Sequence, residues 1–174
     1  MRVLVLRPPR LSGSFLLRRS FARRYPLRLA YVASVLREAG ATVGFLDCVL
    51  RCYDEKAGAG AVFEFHPDVI YAVIDPAFAE AQISFLEKLK EWGAIRIVLG
   101  GPWAATHWES VLERTAAAEA VIVGEVEEAL LEVITLWQEG RSVVRLAGVA
   151  TLVGKKAVSG ERRPPILDLS LIHI

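Results

Sequence analysis

The sequence predicts an α/β fold built on a doubly wound parallel sheet, and three observations carry that reading. Short apolar runs without polar alternation, such as RVLVLR and AVIV, mark strands covered by helices on both faces. These runs alternate with helical stretches of roughly 10 to 16 residues, as right-handed crossovers between parallel strands require. The stretch Ile95–Trp103, IRIVLGGPW, passes from an apolar run straight into two glycines and a proline. Glycines remove the side chains that keep a ligand off the backbone, and open parallel sheets bind ligands just past the carboxyl ends of their strands.

Taken in order, residues 2–7 form the first strand, stopped by Pro8 and Pro9. A basic loop runs to Tyr25, and Pro26 opens a helix over residues 27–39, as a first-turn proline can. That helix sets Leu27, Ala30, Tyr31, Ser34, Val35 and Glu38 at helical spacing, and Gly40 closes it. ATVGFLD (41–47) is the second strand. A polar segment containing GAG leads to AVFEF, a short helix, and HPDVIYAVID (66–75) is the third strand, entered through Pro67. A helix over 77–92 stops at Gly93. The strand that ends in Gly100 comes next, followed by a helix over 104–116. AEAVIVG (118–124) is the fifth strand, and EVEEALLEVITLWQEG is the fifth helix, starting with acids where the helix dipole favours them. From Val143 the texture changes. AGVATLVGKKAV has two short apolar arms around Val153-Gly154-Lys155-Lys156, a hairpin at the sheet edge.

At 174 residues, 53% hydrophobic and 24% charged, the chain suits one globular domain with a sizeable core. A net charge of +1 says nothing about partners, but residues 1–37 hold nine arginines and no acid before Glu38. No apolar run is long enough to span a membrane, and MRVLVLRPPR lacks a signal-peptide layout. Two cysteines, Cys48 and Cys52, make no disulfide framework, and the expectation is a cytoplasmic protein. The sequence offers no Ser-His-Asp set, no carboxylate pair facing a cleft and no complete metal-ligand set, so no catalysis by this chain alone is expected.

Four stretches, YPLRLAYVASVLREAGATVGFLD, FHPDVIYAVI, IRIVLGGPWAATHWESVLE and AVIVGEVEEALLEVI, occur in the order and spacing of one family. Together they resemble the cobalamin-binding domain at the front of many radical SAM enzymes, a group that includes methyltransferases and anaerobic porphyrin-ring cyclases. The resemblance covers roughly residues 2–168 and rests on four motifs in register, which that family commonly shows as a YPPLGLAYIA-like helix start, PDVVGIS, GGPH and GEGE. It implies a flavodoxin-like (Rossmann-like) five-stranded sheet of order 2-1-3-4-5, with a corrin ring over the strand ends. The candidate cofactor contacts are then Pro8, Pro9, Ile74, Asp75, Gly100, Gly101, Pro102, Trp103, Gly124 and Glu125.

The departures from the family pattern matter as well. Cobalamin mutases and methionine synthase carry Asp-x-His-x-x-Gly after the first strand, with a histidine under the cobalt. Here the loop reads RPPRLSGSF, as in radical SAM relatives that also lack the histidine. Val73 falls at the family's serine, Trp103 at the histidine after GGP, and Val126 at the second glycine of GEGE. A tryptophan there closes the pocket or packs on a flat ring. The resemblance further implies that RPPILDL (163–169) leads toward a radical SAM barrel carrying a [4Fe-4S] cluster and S-adenosylmethionine, neither of them held by this chain. The expected organisation is a cobalamin-binding-like domain over 1–142 and an edge hairpin with linker over 143–168. LSLIHI (169–174) is read as a non-native tail, because it matches the translation of a transposon end used in sequencing libraries, and His173 is excluded with it.

Other residues carry weaker claims. CVLRC has the first spacing of a cluster motif, but no third cysteine follows, and buried thiols are the ordinary reading. His66 sits at the strand entry, opposite the ligand end, as a surface or capping residue. His107 lies near the mouth, on a solvated helix face or in contact with cofactor or a neighbouring domain. Asp75 resembles a receiver domain's phosphorylated aspartate, but no acidic pair follows the first strand and no lysine follows the fifth, so that reading is rejected. Glu125 is read as a carboxylate at a helix start, and the resemblance implies that it also shapes the pocket floor near the corrin edge or nucleotide tail. The arginine-rich loop, with Arg18-Arg19 and Arg23-Arg24 among Phe15, Phe21 and Tyr25, is favoured as a solvated or domain-contacting loop over a nucleic-acid surface. The expected function is a cobalamin-binding module of a radical SAM enzyme. The alternative is a docking or substrate-orienting domain of the same fold that has lost cobalamin, to which Val73 and Trp103 point.

Overall fold

The computed structural model describes residues 1–10 and 26–164; the arginine-rich loop beyond Arg10 and the tail at 169–174 lie outside the described residues. Its elements are β1 (Arg2–Arg7), α1 (Leu27–Glu38), β2 (Thr42–Asp47), α2 (Glu55–Phe65), β3 (Val69–Val73), a 3-10 turn (Pro76–Phe78), α3 (Ala79–Trp92), β4 (Arg96–Gly100), α4 (Pro102–Arg114), β5 (Ala120–Ile122), α5 (Glu127–Gln138), β6 (Val149–Val153) and β7 (Lys156–Ser159). The sheet order is β2-β1-β3-β4-β5-β6-β7, parallel through β5 and antiparallel from there. The expected five-strand order is therefore present. The hairpin is no separate appendage: Ala120, Val121 and Ile122 pair with Thr151, Ala150 and Val149, which covers the edge that β5 would otherwise present.

Strand side chains alternate between two cores. Val3, Val5, Val69, Tyr71, Val98, Ala120 and Ile122 pack with α1 and α5. Leu4, Leu6, Ile70, Ala72, Ile97, Leu99 and Val121 pack with α2, α3 and α4. Both faces of the central strands are thus dry, which explains their unbroken apolar runs. A one-residue slip of β1 would exchange its leucines and valines between two differently shaped cores.

Several elements differ from expectation. The buried stripe of α1 is Leu29, Val32, Ala33 and Leu36, whereas Leu27 is exposed. The i, i+3, i+4, i+7 set containing no polar residue wins the core over the stripe that includes Ser34 and Glu38. The GAG segment is helical, not a lead-in. Asp54 accepts the Ala57 N–H at 2.8 Å and starts α2 six residues earlier than AVFEF suggests. Gly58 is buried on the face of α2 that packs toward Cys48 and Phe85. The helix after β4 begins at Pro102, because Gly101 at φ +88° turns the chain and the proline takes the first helical position. His66 closes α2 in the left-handed region, φ 53° and ψ 61°. No helix among the described residues is long and apolar enough to cross a membrane.

Candidate ligand site at the carboxyl edge of the sheet

Because β1, β3, β4 and β5 are parallel, the segments that follow them meet at one edge. All ten candidate residues lie there. They are not equally available to a ligand. Pro8, Pro9 and Ile74 are buried, and Ile74 packs into the α2/α3/α4 core. Pro102, Gly124 and Glu125 are exposed, and Trp103 is half-buried against the α2/α3/α4 core.

A polar latch organises the β1 and β3 ends. Gln82 of α3 is fully buried. Its amide donates to the carbonyls of Pro8 at 3.0 Å and Pro9 at 3.4 Å, while its carbonyl accepts the Asp75 N–H at 2.8 Å. Arg10 joins the same corner. Its Nη2 lies 2.5 Å from Asp75 Oδ2, its Nε 3.1 Å from the same oxygen, and its guanidinium stands over the Phe78 ring. Asp75 Oδ1 also accepts the Ala77 N–H that begins the 3-10 turn. Asp75 is therefore a structural clasp between two loops as well as a rim residue. Gln82 and Arg10 escaped the sequence reading. The signal for Gln82 was present: it is the one polar residue in the stripe Gln82, Phe85, Leu86, Leu89, and a buried amide has to find partners.

The β4 end has an aromatic rim. The rings of Trp103 and His107 stack at 4.7 Å with 11° between planes. His107 Nδ1 donates to the Trp103 carbonyl at 2.9 Å, and the His107 backbone leaves helical geometry at φ −117° and ψ 15°. His107 is exposed on this helix face. At the β5 end, Gly124 has φ +120°, and no described residue stands within 4 Å of where a Cβ would be, so among the described residues the backbone there is bare. Glu125 precedes the helix instead of starting it. α5 begins at Glu127, and the Glu127 carboxylate accepts the Val126 N–H at 3.1 Å. The acids that meet the helix dipole are thus Glu127 and Glu128.

The glycines at Gly100 and Gly101 do not leave a bare surface. Alternation along β4 turns Gly100 to the side of Val98, where α1 and α5 pack. A Cβ on Gly100 would stand 2.4 Å from the Tyr71 hydroxyl oxygen and 2.6 Å from its Cε2. A Cβ on Gly101 would stand 2.9 Å from Val73 Cγ1. The room made by both glycines is taken by side chains of β3. Tyr71 is only 2% exposed, and burial, reinforced by the Glu127 carboxylate, pushes its phenol above the ordinary value against an opposing pull from Arg28. In the register that sets Val73 against the serine of PDVVGIS, Tyr71 stands at the glycine.

Elsewhere, Cys48 is buried and Cys52 exposed, both as free thiols, and desolvation lifts the Cys48 thiol to about 12. Among the described residues no three His, Cys, Asp or Glu side chains are grouped to hold a metal ion.

The model of the B12 binding domain matches residues 14–134, well over half of the chain. The chain belongs to the B12-binding domain family. It is 29% identical to the anaerobic magnesium-protoporphyrin IX monomethyl ester cyclase of Rubrivivax gelatinosus, over 99% of this chain and 32% of that one. It is 25% identical to an uncharacterized methyltransferase of Pyrococcus horikoshii, over 100% of this chain and 38% of the other. This B12-binding domain thus spans about a third of the length of the curated relatives it matches. Among solved structures, it superposes on the radical S-adenosylmethionine methyltransferase TsrM of Kitasatospora setae, with cobalamin and a [4Fe-4S] cluster bound, at a TM-score of 0.78 and 19% identity. That match covers 97% of this chain and 30% of TsrM. The cobalamin-dependent S-adenosylmethionine radical enzyme OxsB, with aqua-cobalamin and S-adenosylmethionine bound, superposes at 0.76 and 16% identity, covering 94% of this chain and 22% of OxsB. At these identities the superpositions establish the fold.

Proposed function

We propose that this B12-binding domain holds cobalamin as one module of a larger radical SAM enzyme, and presents the corrinoid to a barrel carrying an iron–sulfur cluster and S-adenosylmethionine. The observation that carries the reading is the convergence of four post-strand segments on one edge, with bare backbone at Gly124 beside an exposed Glu125 and a stacked Trp103–His107 pair on the same rim. A flat macrocycle suits such a rim: the stacked Trp103–His107 pair offers it an aromatic surface, the Gly124 backbone allows close approach, and Glu125 meets polar substituents at its margin. The latch of Gln82, Arg10 and Asp75 keeps the β1 and β3 loops in place before any ligand arrives, which lowers the ordering cost of binding. When bound, a corrinoid supplies cobalt-centred methyl or electron transfer. The names of the relatives favour methyl transfer or ring-forming chemistry in the whole enzyme. On this reading the domain occupies 1–142, the hairpin and linker 143–168, and the work is cytoplasmic, where two unpaired thiols are at home.

The test is anaerobic titration of the 174-residue chain with hydroxocobalamin, read by the visible spectrum and by mass after gel filtration. Retention of one corrinoid per chain is expected. Retention no greater than by serum albumin would favour the second reading, a docking or substrate-orienting domain without cofactor. Tyr71 and Val73, which fill the space beside the two glycines, are the observation on that side.

A further inference from the structure

We infer that Tyr71 sets the specificity of this rim, making it bind the macrocycle of a corrinoid and leave the nucleotide tail outside the protein. The inference rests on the reading that the rim binds a corrinoid. A complete cobalamin has two parts of different shape: a broad macrocycle and a flexible tail that ends in a planar base. The rim treats them differently. Gly124 offers open backbone at the β5 end, with no described residue within 4 Å of a Cβ position. On this reading a planar base would enter between the sheet and the α1/α5 layer, where missing Cβ atoms at the end of β4 bring the two closest to open backbone. There the Tyr71 ring already lies against Gly100, with Val73 against Gly101.

Tyr71 cannot simply swing aside. It is one of the largest fully buried side chains, packed with Val5, Val98, Ile122 and the apolar faces of α1 and α5. Moving a ring out of a close-packed core leaves a hole that a base of different outline fills poorly. Inserting the tail would also present its polar atoms to Val73, which has no hydrogen bond to return. At the glycine step the tail therefore gains little from the described residues, and affinity is carried by the macrocycle and its side chains on the rim.

The experiment compares aquacobinamide, which lacks the nucleotide, with aquacobalamin on the unmodified 174-residue chain, by competition and equilibrium dialysis. The expected dissociation constants agree within about threefold, and a preference for cobalamin of about thirtyfold or more overturns the inference. Tyr71→Gly opens the step, and its expected effect is to move the ratio toward cobalamin by about tenfold, whereas an unchanged ratio counts against the assignment. Tyr71→Phe keeps the ring and should keep the unmodified ratio; a shift toward cobalamin in that variant also counts against it. The ratio in the unmodified chain decides the matter even where Tyr71→Gly fails to fold. Binding of neither corrinoid sinks the parent reading together with this one, while strong selection for cobalamin sinks this one alone.

Discussion

Gly100→Ala is a minimal change whose effect depends almost wholly on one neighbour. Gly100 does not lie in the left-handed region, so alanine is acceptable to the backbone itself. On conformational entropy alone the substitution would stabilise the protein by about 0.4–1 kcal/mol. The added methyl, however, would stand 2.4 Å and 2.6 Å from two atoms of Tyr71, both well inside normal contact, and that ring is enclosed. Overpacking of this kind costs about 1–3 kcal/mol, and the depth of the overlap places it at the upper end, so a net loss of about 2 kcal/mol is expected. Tyr71→Leu shortens the side chain and clears both clashing atoms, at a cost of about 2–3 kcal/mol on its own. In the Tyr71→Leu background, Gly100→Ala should be neutral or stabilising. The double-mutant cycle, read by urea denaturation with a constant m-value, should give a coupling of about 2–3 kcal/mol. Additivity within about 0.5 kcal/mol would mean that Tyr71 is not what fills the glycine step, and the specificity argument would fall with it.

Gln82→Leu keeps approximate volume but leaves the Pro8 carbonyl and the Asp75 N–H without their partner. It should cost about 2–4 kcal/mol in urea unfolding, and a loss under about 1 kcal/mol would show that the latch is not made. Trp103→Ala should weaken corrinoid binding about five- to thirtyfold with a smaller effect on stability, since the indole is only half-buried; unchanged affinity by spectral titration would remove it from the rim. Cys52 should react with iodoacetamide in the native protein while Cys48 stays protected until unfolding, as counted by mass spectrometry. The Cys48 thiol, raised to about 12 in the fold, binds its proton more tightly than in the unfolded chain. Its contribution is therefore fully present below about pH 9 and lost as pH rises toward 12, and Cys48→Ala should flatten the alkaline decline of stability.

The layers of this fold were legible because burial on both faces leaves an unmistakable trace in the strands, and because Pro26 and Gly40, the latter at φ +85°, mark the ends of α1. The face of α1 was misread because two stripes compete at helical spacing and only packing chooses between them. The start of α2 was misread because two glycines lowered helix propensity, while the Asp54 cap and close packing against Cys48 outweighed them. The latch was hidden for another reason. Its members, Arg10, Asp75 and Gln82, are far apart in the chain and become neighbours only after β1 and β3 pair.

The glycine step shows where pattern and physics part company. A run ending in Gly-Gly-Pro invites the conclusion that backbone is being kept bare for a ligand, yet a missing Cβ is equally useful to a neighbouring side chain. The two uses are distinguished across the strand pair. Val73 pairs with Gly100 and Tyr71 with Val98, so Tyr71 is the diagonal neighbour of Gly100 on the same face, within reach of an aromatic ring. Once the order β3-β4 is accepted, a large aromatic residue two positions before the end of β3 already predicts that the glycine serves the ring. The same test applied at β5 gives the opposite answer. Gly124 lies beyond the last paired residue, no described residue occupies its Cβ position, and its φ of +120° is one that other residues rarely adopt. Among the described residues, bare backbone on this rim is therefore found at Gly124, while the Gly100 step that the motif suggests as a gap is filled by the buried Tyr71 ring.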